Sequence, residues 1–156
     1  DFAQMPFDHP AYILFTSGTT GKPKCITHGA GGTLLQALKM FKFHFDVRPG
    51  DRFFYYCTTN WVVWNLLFLG LAAEASVMMY DGSPFARDGM MLFDYAQKER
   101  ITHLGTSAKF LDALSKRGVR PADAHDLPGL RMILSTGSPL APETFGYDYA
   151  SVEKEV

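Results

Sequence analysis

The residues whose types and spacing hold the most chemistry are Thr16-Ser17-Gly18-Thr19-Thr20-Gly21-Lys22-Pro23-Lys24. Four hydroxyl side chains surround one glycine, and a second glycine and two lysines follow. Such residues make poor helix and poor core. Glycine lets a backbone come close to a ligand, hydroxyls and free N–H groups donate to phosphate oxygens, and lysine adds positive charge. The chemistry that fits is the holding of a polyphosphate by a loop. Just before it, Ala11-Tyr12-Ile13-Leu14-Phe15 is short, apolar and rich in aromatic and β-branched residues, which predicts a buried strand with the loop at its mouth. On residue types alone, a plain surface turn competes with this reading.

Two common nucleotide motifs are excluded. A Walker loop wants Gly-Lys followed by Ser or Thr at a helix start, whereas Lys22 is followed by Pro23 and Thr16 stands where its first glycine belongs. Gly29-Ala30-Gly31-Gly32 is no dinucleotide fingerprint, because Leu34 occupies the last glycine position.

The elements that must position the loop follow from hydrophobic periodicity. Residues 1–10 read as a loop, and Cys25-Ile26-Thr27-His28 as a short extended piece. Helices are predicted over 29–45, 61–73 (largely buried), 89–100, 107–117 (capped by Ser107, stopped by Gly118) and 142–152. Strands are predicted over 52–57, 76–80, 101–104 and 130–135, with turns at 47–51 and 81–84. The alternation of strand and helix predicts an α/β fold with a mostly parallel sheet covered on both faces. Ligands in such sheets gather at the carboxyl ends of the strands. The phosphate loop, Thr58-Thr59-Asn60-Trp61, Gly105-Thr106-Ser107 and Thr136-Gly137-Ser138-Pro139 each follow a predicted strand, so all four are expected on one edge.

Composition narrows the classes. A chain of 156 residues that is 47% hydrophobic can bury a core, and a net charge of −1 leaves no basic footprint for nucleic acid. Cys25 and Cys57 are too few for a metal cluster or a disulfide framework, which favours a reduced, cytoplasmic setting. No signal peptide is evident, and the apolar stretch Trp61 to Ala73 is too short to span a bilayer, so no membrane partner is expected. Asp1 is not a start methionine, and the last residues lack a stop signal, so a piece of a longer protein is expected. Asp51, Asp81 and Asp88 sit in predicted turns, where solvation or turn hydrogen bonds explain them. His9, His44, His103 and His125 have no partners at ligand spacing, and His28 stands close enough behind the loop to touch phosphate.

The string Thr16 to Lys24 resembles the phosphate loop of the adenylate-forming (AMP-binding) enzymes, among them acyl-CoA synthetases, and matches it at every defining position. The resemblance extends from Tyr12 to about Val152. It implies that residues 1–156 are part of that family's large N-terminal domain, with the rest of that domain and the small C-terminal domain outside the chain. It further implies that Thr16, Ser17, Gly18, Thr19, Thr20 and Gly21 hold the β- and γ-phosphates of ATP and that Lys24 assists catalysis, while Lys22 lies at a variable position. Thr136-Gly137-Ser138-Pro139-Leu140 resembles the family's Gly-Glu-Pro loop, with Ser138 where glutamate is usual. That implies Gly137, Ser138 and Pro139 against adenine; a plain strand-to-helix turn is the alternative.

Trp61 and Thr106 lie in segments that resemble the two sides of the family's acyl pocket, where core packing and helix capping are the competing explanations. No metal ligand is assigned within the chain. Arg48 to Phe54, Thr58 to Asn65 and Tyr80 to Pro84 resemble the acetoacetate-activating branch of the family, close kin of the acetate-activating one. The implied co-substrates are ATP with Mg2+ and coenzyme A, with a short keto or carboxylic acid as substrate and no implication for oligomeric state. An isolated chain is expected to be inactive. The alternatives are another short-chain acyl-CoA synthetase, a peptide-synthetase adenylation domain, or a non-catalytic nucleotide-binding module.

Overall fold

A computed structural model describes residues 1–16 and 21–153, in two units, residues 1–47 and residues 48–156. Ser17, Gly18, Thr19 and Thr20 of the predicted phosphate loop lie outside the described residues.

In the first unit, β1 (Pro10–Phe15) pairs antiparallel with β2 (Cys25–Gly29), placing Phe15 opposite Cys25, Leu14 opposite Ile26 and Tyr12 opposite His28. One step further, the Thr16 N–H donates to the Lys24 carbonyl at 2.9 Å. The predicted extended piece after the loop is thus β2. The expected parallel pairing of the first strand is corrected: a connection this short closes a hairpin, whereas parallel strands need a crossover of a dozen or more residues. The α1 helix (Ala30–Lys39) follows at once and continues through a wider turn over Met40–His44. Its first amides are already satisfied, Ala30 N–H by the His9 carbonyl at 2.7 Å and Gly31 N–H by the Phe7 carbonyl at 2.8 Å.

The expectation of a buried first strand is also corrected. Tyr12 and Leu14 are half-buried, while Ile13 (58% exposed) and Phe15 (71% exposed) point to the other face of the ribbon. A two-stranded ribbon has two faces, and α1 can cover only one.

The second unit is a four-stranded parallel sheet in the order β4-β3-β5-β6, formed by β3 (Arg52–Tyr55), β4 (Ser76–Met78), β5 (His103–Ser107) and β6 (Met132–Thr136). Helices α2 (Val62–Leu69), α3 (Met91–Glu99) and α4 (Ala108–Lys116) connect successive strands, and α5 (Pro142–Tyr147) follows β6. Phe54, Leu92, Phe93, Leu104, Phe110, Leu111 and Leu114 form its buried core. The Ser107 hydroxyl caps α4, accepting from Phe110 N–H at 3.2 Å. The strand expected over 101–104 starts two residues later, because Ile101 N–H still closes the end of α3 on the Ala96 carbonyl at 2.9 Å. The α2 segment is less buried than expected. Val63 and Leu67 face inward, but Trp61, Val62, Phe68 and Leu71 are exposed.

At the amino end of the sheet, Asp51 ties two segments 80 residues apart. Its carboxylate accepts from Arg48 N–H at 2.7 Å and from both terminal nitrogens of Arg131 at 2.8 Å. Burial alone would raise its pKa, but the Arg131 and Arg48 hydrogen bonds outweigh it and hold the carboxyl below its ordinary value. The turn hydrogen bond agrees with the sequence reading; solvation does not, since Asp51 is only 6% exposed.

Candidate functional site at the carboxyl edge

Strand order alone locates a crevice. From β3 the chain leaves through α2 toward β4, whereas from β5 it leaves through α4 toward β6, on the opposite side. Neighbouring strands whose chains depart in opposite directions open a gap beyond their carboxyl ends, the usual ligand position in such sheets.

Three of the predicted groups lie at this edge. After β3, Thr58 donates through its hydroxyl to Asn60 Oδ1, and Trp61 N–H donates to the Thr58 carbonyl at 3.2 Å, making a tight turn. The turn delivers Trp61 in an extended conformation at the start of α2, with its side chain half out of the protein. After β6, Gly137 has φ +90°, a left-handed conformation that favours glycine. A Cβ at Gly137 would lie 4.0 Å from Cζ3 of the Trp61 indole. Ser138 is half-buried beside it and Pro139 is exposed. Between the two loops, near the end of β5, lies Thr106, which is 1% exposed and whose hydroxyl has no hydrogen-bond partner among the described residues. Its carbonyl accepts from the Tyr55 hydroxyl at 3.0 Å. Sequence reasoning passed over Tyr55. No local signal marks it, since its partner lies 51 residues along the chain.

Toward β4 the same edge opens into a cavity of about 560 Å³ walled by Tyr56, Trp64, Met79 and Tyr80, with Cys57, Thr58, Thr59 and Asp81 supplying polar atoms. Burial pushes the Cys57 thiol up, away from the reactive thiolate.

The predicted phosphate loop belongs to the other unit. Thr16, Gly21 and Lys24 are exposed at the turn end of the β1–β2 hairpin, with Thr16 and Lys24 fixed by their backbone bond. The expectation that four loops follow parallel strands of one sheet therefore holds for three. His28 lies three residues along β2 from Cys25, about 10 Å from the base of the loop at strand spacing. His103 and His125 are inside the fold: His103 Nδ1 lies 2.8 Å from the Thr102 hydroxyl, and His125 Nε2 lies 2.8 Å from Asp94 Oδ1. Neither is incidental to the packing. Among the described residues no group of three or more His, Cys, Asp or Glu is placed to hold a metal ion, and no helix is long and apolar enough to cross a membrane.

Comparison with known proteins covers both units. The AMP-binding enzyme family model matches residues 2–146. Acetoacetyl-coenzyme A synthetase of Rhizobium meliloti (strain 1021) is 56% identical over 99% of this chain and 24% of its own length. Acetoacetyl-CoA synthetase of Danio rerio is 46% identical over 100% of this chain and 23% of its own length. The solved structure of acetoacetyl-CoA synthetase from Streptomyces lividans superposes with a TM-score of 0.89 at 41% identity, over 96% of this chain and 23% of that one. The chain thus spans about a quarter of the length of the relatives it matches. With the match running from the first residues to α5, the chain belongs to the AMP-binding enzyme family.

Proposed function

We propose that the full-length protein carrying this chain is an acid–CoA ligase whose substrate is acetoacetate. A carboxylate oxygen of the acid attacks the α-phosphorus of ATP, the bond to the bridging oxygen breaks, and pyrophosphate leaves, giving an acyl-adenylate. The thiol of coenzyme A then takes the acyl group and AMP is released. The observation that carries this reading is the seating of Trp61 against Gly137. An acyl-adenylate joins its acyl group to a nucleotide through one phosphate, so a pocket for the first must adjoin a loop for the second. The names and identities of the relatives support the choice of acid.

In this reading the chain is part of a larger adenylating domain in a cytoplasmic enzyme. Thr16, Ser17, Gly18, Thr19, Thr20 and Gly21 hold the β- and γ-phosphates, and Lys24 steadies the charge that builds on the departing pyrophosphate. Donors and cations fixed in advance do most of the work in such transfers. Gly137, Ser138 and Pro139 flank adenine, while Trp61 and Thr106 bound the acyl end. Magnesium, which the family implies with ATP, finds no cage of protein ligands among the described residues.

The test is acid-dependent exchange of labelled pyrophosphate into ATP by the full-length protein, with acetoacetate, acetate, butyrate and amino acids compared. Acetoacetate is expected to give the highest kcat/KM. Preference for an amino acid, or ATP binding with no exchange under any acid, contradicts the proposal.

A further inference from the structure

We propose that Tyr55 is a positioning residue for the acid-binding edge, locking the carboxyl end of β5 across the crevice so that Thr106 stays where the acid needs it. The inference rests on the functional reading above, and its observations are separate from those that support it. The β3–β5 ladder ends at Tyr55 opposite Gly105, followed by a last backbone bond from Tyr56 N–H to the Gly105 carbonyl at 2.8 Å. There β3 turns away toward Trp61, while β5 runs on through Thr106 and Ser107, paired with Ser135 and Thr136 of β6.

The Thr106 carbonyl is thus reached by a side chain of β3, the Tyr55 hydroxyl at 3.0 Å, in a buried setting. In effect the phenol adds one rung to a ladder whose backbone has already left. Room for the ring comes from Gly105, where a Cβ would stand 2.1 Å from Tyr55 Cδ2. Burial first, and the neighbouring Cys57 second, push the phenol up to about 12, so it remains an O–H donor at any working pH. The peptide unit that it holds joins Thr106 to Ser107, the cap of α4. One hydroxyl therefore ties together a strand end, a candidate pocket residue and a helix start.

The test uses Tyr55→Phe in the full-length protein, which keeps the ring and removes the donor. KM for the acid is expected to rise about fivefold, the worth of one buried hydrogen bond, with KM for ATP unchanged and kcat within about twofold. Hydrogen–deuterium exchange of residues 103–110, followed by mass spectrometry, is expected to quicken about tenfold, while the peptide covering α3 is unaffected. An unchanged KM for the acid, or an equal rise for acid and ATP, overturns the proposal. If the wild-type protein activates no acid, the functional reading fails; the locking of β5 is then decided by exchange alone, and uniform or absent acceleration overturns it.

Discussion

The two units treat their apolar side chains in opposite ways. In residues 48–153 the parallel sheet seals Phe53, Phe54, Leu92, Phe93, Leu104, Leu111 and Leu114 from water. Among the described residues of 1–47, only Ala37, Phe41 and Val47 are buried apolar residues, while Phe2, Phe7, Ile13, Phe15, Leu35 and Phe43 are exposed. The sheet unit holds its edge by long-range packing. The hairpin holds its loop by local backbone bonds, above all the one from Thr16 to Lys24. Damage to the first should therefore appear as lost stability, and damage to the second as lost chemistry with the fold intact.

The sharpest contrast is between two phenylalanines. Phe54→Ala, in the buried core, is expected to cost about 3–5 kcal/mol in denaturant unfolding of the full-length protein. The same truncation at exposed Phe15 should cost under about 0.5 kcal/mol. Equal losses would break the comparison, since Phe15 would then be covered as Phe54 is.

Lys24→Ala turns the comparison toward activity. It is expected to lower acid-dependent pyrophosphate exchange about 100-fold or more, the scale of losing one charge-stabilising donor, with the unfolding midpoint unmoved. A fall in both would mean that Lys24 has a structural role.

Arg131→Met tests the amino end of the sheet by leaving the buried Asp51 carboxylate without its bidentate partner. A loss of about 2–3 kcal/mol is expected, below that for a fully buried pair because Arg131 is partly exposed. Asp51 has a folded pKa below its unfolded value, so its contribution is present above pH 3.8 and disappears as pH falls through the folded value.

Asp148 has the opposite sign. Burial raises its pKa from 3.8 to about 7, and Oδ1 has no partner among the described residues. The folded state therefore favours the neutral carboxyl, and stability should decline as pH rises from about 4 to about 7. Asp148→Asn, compared with wild type in unfolding at pH 5 and pH 8, should remove that decline. A decline of the same size in the variant would refute the assignment.

What was legible in the sequence was local. The Ser107 cap and the alternation of strand and helix after Arg52 are each written within a few neighbouring residues. Tertiary pairing was not legible in the same way. Tyr55 and Thr106, Asp51 and Arg131, and Asp94 and His125 meet only after the sheet brings distant segments together. Burial of Ile13, Phe15 and the outer face of α2 was over-read for a related reason. Apolar composition says that a residue prefers cover, but only the partner element decides whether it has any. Trp61 was open to both a core and a pocket reading, and its seat against Gly137 depends on where β6 ends relative to the turn after β3.

The most direct measurement is a crystal or cryo-EM structure of the full-length protein with ATP or a non-hydrolysable analogue. The β- and γ-phosphates are expected within hydrogen-bond reach, about 2.7–3.2 Å, of the hydroxyls and amides between Thr16 and Lys24, with adenine along Gly137 to Pro139. A triphosphate bound elsewhere, with the hairpin loop turned away from the nucleotide, would contradict the role given to both units.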